Sequence, residues 1–219
     1  MSNTKIKIPL ELLPISEYKG VDEKDPIRFY KLPIIGRLYQ KRIELCLEEL
    51  SGGQNILEIG FESGVAFLNL NKLYEKIYGL DLTADVKLIS DFFKTKNITT
   101  FLQNGNILSL PYSDNFFDAV LLISILEHLR PSALDIAFKE IHRVLKPGGQ
   151  VVYGVPVERS FMVFMFKFLG TNIRAHHFST ETDVYNSSIK LLNLVRIEKM
   201  YGPLKFLGQV YEVGHFKKL

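Results

Sequence analysis

The sequence predicts an α/β protein built on a doubly wound sheet of about seven strands, mostly parallel with an antiparallel C-terminal strand and with helices on both faces. Two observations lead to this prediction. Between residues 36 and 155, helical patterns alternate with short apolar runs that are typical of buried parallel strands. After residue 190, two strand-like runs follow each other with a short connection, which can only join antiparallel strands.

Composition and charge indicate one packed domain over residues 1–219. The chain has 47% hydrophobic residues, a mean hydropathy of +0.08, and no apolar run that approaches the ~18 residues of a membrane span. Its net charge of +3 is too small to indicate a nucleic-acid partner, and we expect none. The single cysteine, Cys46, and the lack of a signal-peptide pattern in the first residues predict a cytoplasmic protein.

Residues 1–50 are predicted to form an irregular arm followed by a helix. Four prolines fall among mixed charges in the first 35 residues: Pro9, Pro14, Pro26 and Pro33. From Gly36 to Leu50, apolar residues recur at helical spacing. The run Ser-Gly-Gly at residues 51–53 then ends this helix.

Residues 51–156 are predicted to form the core of the sheet. The predicted strands are the apolar runs at residues 55–59, 77–81, 98–102, 117–123 and 150–155. The predicted helices between them span about residues 64–74, 82–93 and 131–145, and Pro131 suits the first turn of the last one. This alternation predicts parallel strands with right-handed crossovers.

Residues 157–180 are predicted to form an apolar lid after the fifth strand, where a substrate cover would lie. The centre of this lid, residues 160–169, is dense in phenylalanine and methionine. This stretch either lines a pocket for an apolar, lipid-like substrate, lies against a membrane surface as a peripheral contact, or forms a buried helix that packs on the sheet. The helical spacing of its aromatic residues favours the buried helix. Residues 181–219 are predicted to close the sheet with a helix and an antiparallel strand pair.

The stretch from Asn55 to Gly64 carries the main chemical signal. It indicates a buried strand, a tight turn and the start of a helix, where backbone N–H groups lie open to a ligand. Glu58 lies at the end of this strand, and Gly60 and Gly64 allow the backbone to turn tightly. Asp81 ends the next strand about twenty residues on, where an acid commonly binds ribose hydroxyls.

Acids at the ends of both strands suit a nucleoside that carries an amino-acid tail. Glu58 would face the tail, and Asp81 would accept hydrogen bonds from two ribose hydroxyls. The G-x-G-x-x-G fingerprint of a dinucleotide is absent because residue 62 is glutamate. These features disfavour a nicotinamide oxidoreductase, which is one alternative.

Four sequence blocks resemble the class I S-adenosylmethionine-dependent methyltransferases, in particular the type 11 subgroup related to ubiquinone and menaquinone biosynthesis. The blocks follow the family's order, at residues 57–64, 79–82, 104–112 and 125–149. They resemble, in turn, the first glycine-rich motif, the ribose-binding motif, the adenine-contacting loop, and the loop after strand four with the turn into strand five. The resemblance covers residues 40–156 and implies a Rossmann-like fold.

This resemblance implies S-adenosyl-L-methionine as the cofactor and a small-molecule or lipid-like acceptor. The cofactor-binding residues that it implies are Glu58, Gly60, Phe61, Gly64, Asp81, Leu82, Asn106, Ile107 and Ser124. His128 lies in the loop after the fourth strand and is the candidate general base for an oxygen acceptor of high pKa. The alternative is that His128 only caps or packs the loop.

Two residues depart from the family pattern. Glu62 stands where the family usually has glycine, and a glutamate there is strained by about 1 kcal/mol or more if the backbone has positive φ. Asn106 stands where the family often has aspartate, which accepts a hydrogen bond from the adenine amino group. A cofactor-binding member without methylation activity is therefore an alternative, and a protein or RNA methyltransferase is a further one.

No set of cysteine, histidine and carboxylate residues has the spacing of a metal site, so we predict no metal. His176 and His177 are adjacent, and side chains of adjacent residues in an extended segment point to opposite sides. We therefore predict a surface or capping role for this pair. Oxygen, nitrogen and carbon all stay open as the methylated atom, as does the oligomeric state.

Overall fold

The computed structural model describes residues 8–20, 26–33, 35–157, 177–202 and 208–219. Its strands are β1 (Gly53–Ile59), β2 (Tyr74–Asp81), β3 (Thr100–Asn104), β4 (Phe117–Ile123), β5 (Leu145–Pro156), β6 (Asn193–Tyr201) and β7 (Gln209–Lys217). Within the described residues these strands form one sheet of seven, in the order β3-β2-β1-β4-β5-β7-β6. Strand β7 runs antiparallel to both neighbours, whereas β1 to β5 pair in parallel. The predicted fold class is confirmed.

Helices cover both faces of this sheet, as predicted. They are α1 (Ile35–Leu47), α2 (Phe67–Leu73), α3 (Val86–Lys94), α4 (Pro131–Val144) and α5 (Glu181–Ser188). Helices α1 to α3 pack into one apolar core, which includes Phe93, and α4 and α5 pack into a second one, which includes Phe138. The adjacent residues Ala119 and Val120 of β4 belong to different cores because successive strand side chains point to opposite faces.

The helix after β2 begins later than predicted, at Val86 instead of residue 82. Asp81 explains the delay. Its Oδ1 accepts hydrogen bonds, at 2.9 and 3.0 Å, from the backbone N–H groups two and three residues on, which holds them in a turn. Asp85 then caps the helix by accepting a hydrogen bond from the backbone N–H of Leu88 at 3.0 Å.

Strand β5 begins earlier than predicted, at Leu145 instead of residue 150. Leu145 pairs with Phe117, and the pairing then jumps to Gln150 opposite Ala119. The intervening Lys-Pro-Gly-Gly segment, which we predicted as a turn, therefore forms an irregularity within the strand.

The described part of the N-terminal arm packs against the helices. Asn69 on α2 accepts a hydrogen bond from the backbone N–H of Glu11 at 2.9 Å and donates one to the carbonyl oxygen of Pro9, also at 2.9 Å. Tyr18 and Ile27 are buried in the same core as α1 to α3. This arm thus forms part of the packed structure, although its sequence predicts only irregular backbone.

The predicted lid lies almost entirely outside the described residues. Its apolar centre at residues 160–169, and His176, belong to residues 158–176, so the three interpretations of this stretch stay predictions. The division of residues 1–219 into one domain with an arm, a core, a lid and a closing segment also stays a prediction. None of the helices in the described part of the chain has the length and apolar character needed to cross a membrane.

Asp118 links β1, β4 and β5 near their amino-terminal ends. Its Oδ2 accepts hydrogen bonds from the backbone N–H groups of Gln54 and Asn55 at 3.0 and 2.8 Å. Its Oδ1 accepts one from the Lys146 Nζ at 2.7 Å. Burial raises the pKa of Asp118, but the hydrogen bonds from Lys146 and Asn55 outweigh burial and hold the pKa below its usual value.

We expect Asp118→Ala to lower the free energy of unfolding by about 1–3 kcal/mol near pH 7, because two backbone N–H groups lose their acceptor. Since the folded-state pKa is depressed, the wild-type advantage is complete above the unfolded-state pKa and is lost as the pH falls through the folded-state pKa. Urea titrations at about pH 7 and about pH 3 measure this difference. The control is Asp135→Ala, which removes an exposed ion pair with Lys190 and should cost much less than Asp118→Ala. Equal losses in the two variants would contradict the role of Asp118.

Candidate active site

The loop after β1 makes the tight turn that the sequence predicts. Gly60 and Gly64 both have φ of +74°, a conformation that residues with a side chain rarely adopt. A Cβ at Gly60 would lie 2.0 Å from the Cδ1 of Ile125, so a larger residue there would force the side chain of Ile125 to move. The backbone N–H of Gly60 donates to the carbonyl oxygen of Leu80 at 2.8 Å, which ties the loop to β2.

Glu58 is buried at the carboxyl end of β1, with only 4% of its surface exposed, and it lines a small pocket. The other residues that line this pocket are Tyr30, Arg42, Ile43, Gly60, Phe61, Glu62, Val65, Ala66, Ile123 and Ser124. Burial raises the pKa of Glu58 to about 8, with smaller contributions from the nearby acids Glu62 and Asp81. Its Oε2 atom accepts no hydrogen bond from any described residue. The pocket is therefore lined by a buried carboxyl group with an oxygen that has no hydrogen-bond donor among the described residues.

Asp81 ends β2, the strand next to β1. Its Oδ1 accepts two backbone hydrogen bonds within its own turn, and its Oδ2 accepts one from the backbone N–H of Glu62 at 3.1 Å. Each carboxylate oxygen has about two acceptor sites. In this arrangement Oδ2 alone keeps a site for a ribose hydroxyl, whereas the sequence predicts a contact through both oxygens.

The predicted adenine-contacting residues lie beside Asp81. The backbone N–H of Gly105 donates to the carbonyl oxygen of Asp81 at 3.0 Å, which fixes the loop after β3. The Oδ1 of Asn106 accepts a hydrogen bond at 2.9 Å from the backbone N–H two residues on, so its carbonyl is partly used within the loop. Ile107 is buried, whereas the side chain of Leu82 is 69% exposed. An exposed apolar side chain next to Asp81 offers a surface for a flat ring.

Ser124 follows β4 with φ of +58°, a strained value for a residue other than glycine. Its Oγ lies 3.0 Å from the hydroxyl oxygen of Tyr211 and accepts a hydrogen bond from the Nη1 of Arg42 at 3.3 Å. The guanidinium carbon of Arg42 lies 4.0 Å from the ring centroid of Tyr39 and 5.3 Å from that of Tyr211. Sequence reasoning missed Arg42 and Tyr211. The signal for Arg42 is a cation on an otherwise apolar helix face, whereas Tyr211 belongs to a distant strand and leaves no local signal.

The 3₁₀ turn Leu126–His128 lies on the connection that follows Ser124. The rings of His128 and His177 are in edge-to-face contact, with centroids 5.1 Å apart. Glu127 lies beside them, and one ligand atom from each of the three residues lies within 4.8 Å of the others. The sequence predicts no metal site because His177 is distant from the turn along the chain, so residue spacing does not reveal this cluster.

Eight of the nine predicted cofactor residues fall into two neighbouring groups, and the ninth, Gly64, is not among the residues that line the pocket. Those that line the pocket at the end of β1 are Glu58, Gly60, Phe61 and Ser124. Those at the ends of β2 and β3 are Asp81, Leu82, Asn106 and Ile107. The side chain of Phe61 is buried and packs on Phe67, with ring centroids 5.7 Å apart, so it contributes to the core. His128 is not among the residues that line the pocket.

Comparison with known families finds a match for the core of the chain. Residues 57–153 match the family described as a methyltransferase domain. The matched segment begins in β1 and ends in β5, so it includes both groups of predicted cofactor residues. The resemblance of this core to the class I methyltransferases of the type 11 kind is confirmed.

Curated relatives match part of their length. The demethylmenaquinone methyltransferase of Alkalihalophilus pseudofirmus is 33% identical over 102 residues, which are 42% of this chain and 42% of that protein. The malonyl-acyl-carrier-protein O-methyltransferase of Erwinia billingiae is 33% identical over 115 residues, which are 50% of this chain and 44% of that protein. The chain thus spans less than half the length of these relatives.

A solved structure extends the similarity to the whole sheet. The N-methyltransferase NodS of Bradyrhizobium japonicum, in complex with S-adenosyl-L-homocysteine, has a TM-score of 0.68 to this chain. The alignment covers 93% of this chain and 96% of that chain, with 18% sequence identity. At this identity the likeness shows the fold alone.

Glu62 has φ of +46°, so the glutamate at this position is strained. We expect Glu62→Gly to raise the free energy of unfolding by about 0.5–1 kcal/mol, which is the strain relieved less the extra backbone entropy of glycine. Urea denaturation measures this change. The matched control is Asn97→Gly at φ of +60°, which should gain less because asparagine tolerates this region. A loss of stability in Glu62→Gly would show that the glutamate side chain stabilises the fold more than its backbone strains it.

Proposed function

We propose that the chain transfers a methyl group from S-adenosyl-L-methionine to a small-molecule or lipid-like acceptor. The premise is the match of residues 57–153 to a methyltransferase domain of the class I, type 11 kind. The names of two curated relatives, a demethylmenaquinone methyltransferase and a malonyl-acyl-carrier-protein O-methyltransferase, support an acceptor of this class. One observation carries the proposal: the buried Glu58 carboxyl and the Arg42 guanidinium line the same pocket at the carboxyl end of the sheet.

The charges of this pocket suit the amino-acid end of the proposed cofactor, which carries an ammonium group and a carboxylate. Glu58 would accept hydrogen bonds from the ammonium group, and Arg42 would donate to the carboxylate, both in charge-assisted contacts. Because burial raises the pKa of Glu58 to about 8, its carboxyl is mostly protonated at neutral pH in the free protein. Binding of the ammonium group would therefore displace the Glu58 proton.

The ends of β2 and β3 suit the nucleoside end of the cofactor. The Oδ2 of Asp81 keeps one acceptor site for a ribose hydroxyl. The exposed side chain of Leu82 supplies an apolar surface that the adenine ring would cover. Asn106, in the loop tied to Asp81 through the Gly105 N–H, would supply its amide group to the adenine edge.

Bound S-adenosyl-L-methionine supplies a methyl group that its sulfonium sulfur already activates. The chain has to align the acceptor and exclude water. For an oxygen acceptor of high pKa, it also has to provide a group that takes the proton. His128 lies on the same connection as Ser124 and stays the candidate for this role. The N-terminal arm and residues 157–180 are the candidate cover over the acceptor.

A protein that binds the cofactor without methylating anything is the second candidate. The strained φ of Glu62, in the loop where the family usually has glycine, is the observation that favours it. The two candidates differ in whether an acceptor increases the formation of S-adenosyl-L-homocysteine.

We also propose a cytoplasmic location. Cys46 is free and fully buried, and burial raises the pKa of its thiol far above the usual value. A buried, protonated thiol is unreactive and suits a reducing compartment.

Calorimetric titration with S-adenosyl-L-homocysteine tests the proposed cofactor site. We expect Asp81→Ala to weaken binding by about 1.5–3 kcal/mol, because a charge-assisted acceptor for the ribose is lost. The matched control is Asp85→Ala, which removes the cap of α3 in the same turn and should change the affinity by less than about 1 kcal/mol. An unchanged affinity in Asp81→Ala, or an equal loss in the control, would remove Asp81 from the site.

Methyl transfer is measured by mass spectrometry after incubation with S-adenosyl-L-methionine and a panel of reduced demethylated quinones, phenols and carboxylic acids. Formation of S-adenosyl-L-homocysteine that depends on one of these acceptors would support the enzyme. Tight cofactor binding without acceptor-dependent turnover on this panel would favour the second candidate.

A further inference from the structure

We propose that Glu127, His128 and His177 form a binding site for a divalent transition-metal ion at the connection that follows β4. Each residue offers one ligand atom, and these atoms all lie within 4.8 Å of one another. Ligand atoms around one tetrahedral ion lie roughly 3.3 Å apart, so small side-chain rotations would close this set on an ion. Two imidazoles and one carboxylate are a ligand set that zinc, iron and similar ions accept.

Backbone hydrogen bonds hold together the two segments that carry these ligands. The backbone N–H groups of Phe178 and Ser179 donate to the carbonyl oxygen of Glu127 at 2.8 and 3.2 Å. The Oγ of Ser179 donates to the carbonyl oxygen of Leu129 at 2.6 Å. His177 directly precedes this bonded segment, so its backbone is fixed beside the 3₁₀ turn. A site that is already assembled loses less conformational entropy when it binds.

The burial of the three side chains also suits a cation. Glu127 is buried, with 3% of its surface exposed, whereas His177 is half-buried and His128 is exposed. A buried carboxylate attracts a cation strongly because little water screens the charge. The exposed His128 leaves a path along which an ion can enter.

The position of the cluster suggests its use. The turn Leu126–His128 lies on the connection that follows Ser124, which lines the pocket. Three protein ligands leave at least one coordination position of the ion open. A hydroxyl oxygen of the acceptor would occupy this position, and the ion would lower the pKa of this hydroxyl so that its proton passes to solvent water. The oxygen would then bond to the methyl carbon as the methyl–sulfur bond breaks, and S-adenosyl-L-homocysteine would leave. This step rests on the proposed function, and it implies that the acceptor is a molecule with a hydroxyl group. In this arrangement His128 is a metal ligand instead of the general base.

Metal binding is measured on the full chain after treatment with a chelator, by calorimetry with zinc chloride and by visible absorption with cobalt(II). We expect one ion per chain with micromolar or tighter affinity. Glu127→Gln and His177→Ala should each weaken zinc binding by about tenfold or more and reduce the cobalt absorption bands. The matched control is His142→Ala, which removes a histidine of α4 outside the cluster and should bind zinc as the wild type does.

Zinc affinity that is unchanged in both cluster variants, or equally reduced in His142→Ala, would overturn the metal site. Circular dichroism verifies that each variant folds. If the variant of the buried Glu127 does not fold, the His177→Ala variant still tests the site, because His177 is only half-buried. Titration of the metal-free protein with S-adenosyl-L-homocysteine separates the two proposals. If the protein binds the cofactor but not zinc, the metal site is overturned and the proposed function still stands. If it binds zinc at the cluster but not the cofactor, the metal site is supported and the proposed function is contradicted.

Discussion

The strand order reverses between β1 and β4, and this reversal positions the candidate site. Strand β1 pairs with β2 on one side and with β4 on the other, so the chain leaves these two strands in different directions across the sheet. A crevice opens at the carboxyl ends of such a pair, where ligands bind in open α/β sheets. Glu58 and Ser124 reach this crevice because they lie at the ends of β1 and β4.

Two energetic costs are concentrated around the crevice. Burial keeps the carboxyl of Glu58 largely neutral, and Glu62 and Ser124 have positive φ. Such costs cluster at functional sites, where the surrounding structure or a bound group offsets them. Arg42 adds a cation to the same pocket, so helix α1 contributes to the site as well as to the core. The pocket thus combines an ionisable acid with a permanent cation.

The features that could be predicted from the sequence are those encoded in contiguous residues. The strand ends at Glu58 and Asp81 were found because an apolar run and a terminal acid are adjacent in the chain. The start of α3 was misplaced because the side-chain hydrogen bonds of Asp81, which hold the turn, leave no periodic pattern. Arg42 and His177 approach the site from distant segments, and only the long-range packing of the folded chain brings them there.

Glu58 is proposed to bind the ammonium group of the cofactor, and the protons released on binding give a direct test of this claim. Calorimetry with S-adenosyl-L-homocysteine in buffers of different ionisation enthalpy measures this release. Because the pKa of Glu58 is about 8 in the free protein, we expect about one proton to be released per molecule bound near pH 6.5, and progressively fewer as the pH rises above 8. The release should disappear in Glu58→Gln. Binding without proton release, or a release that Glu58→Gln does not change, would contradict the claim.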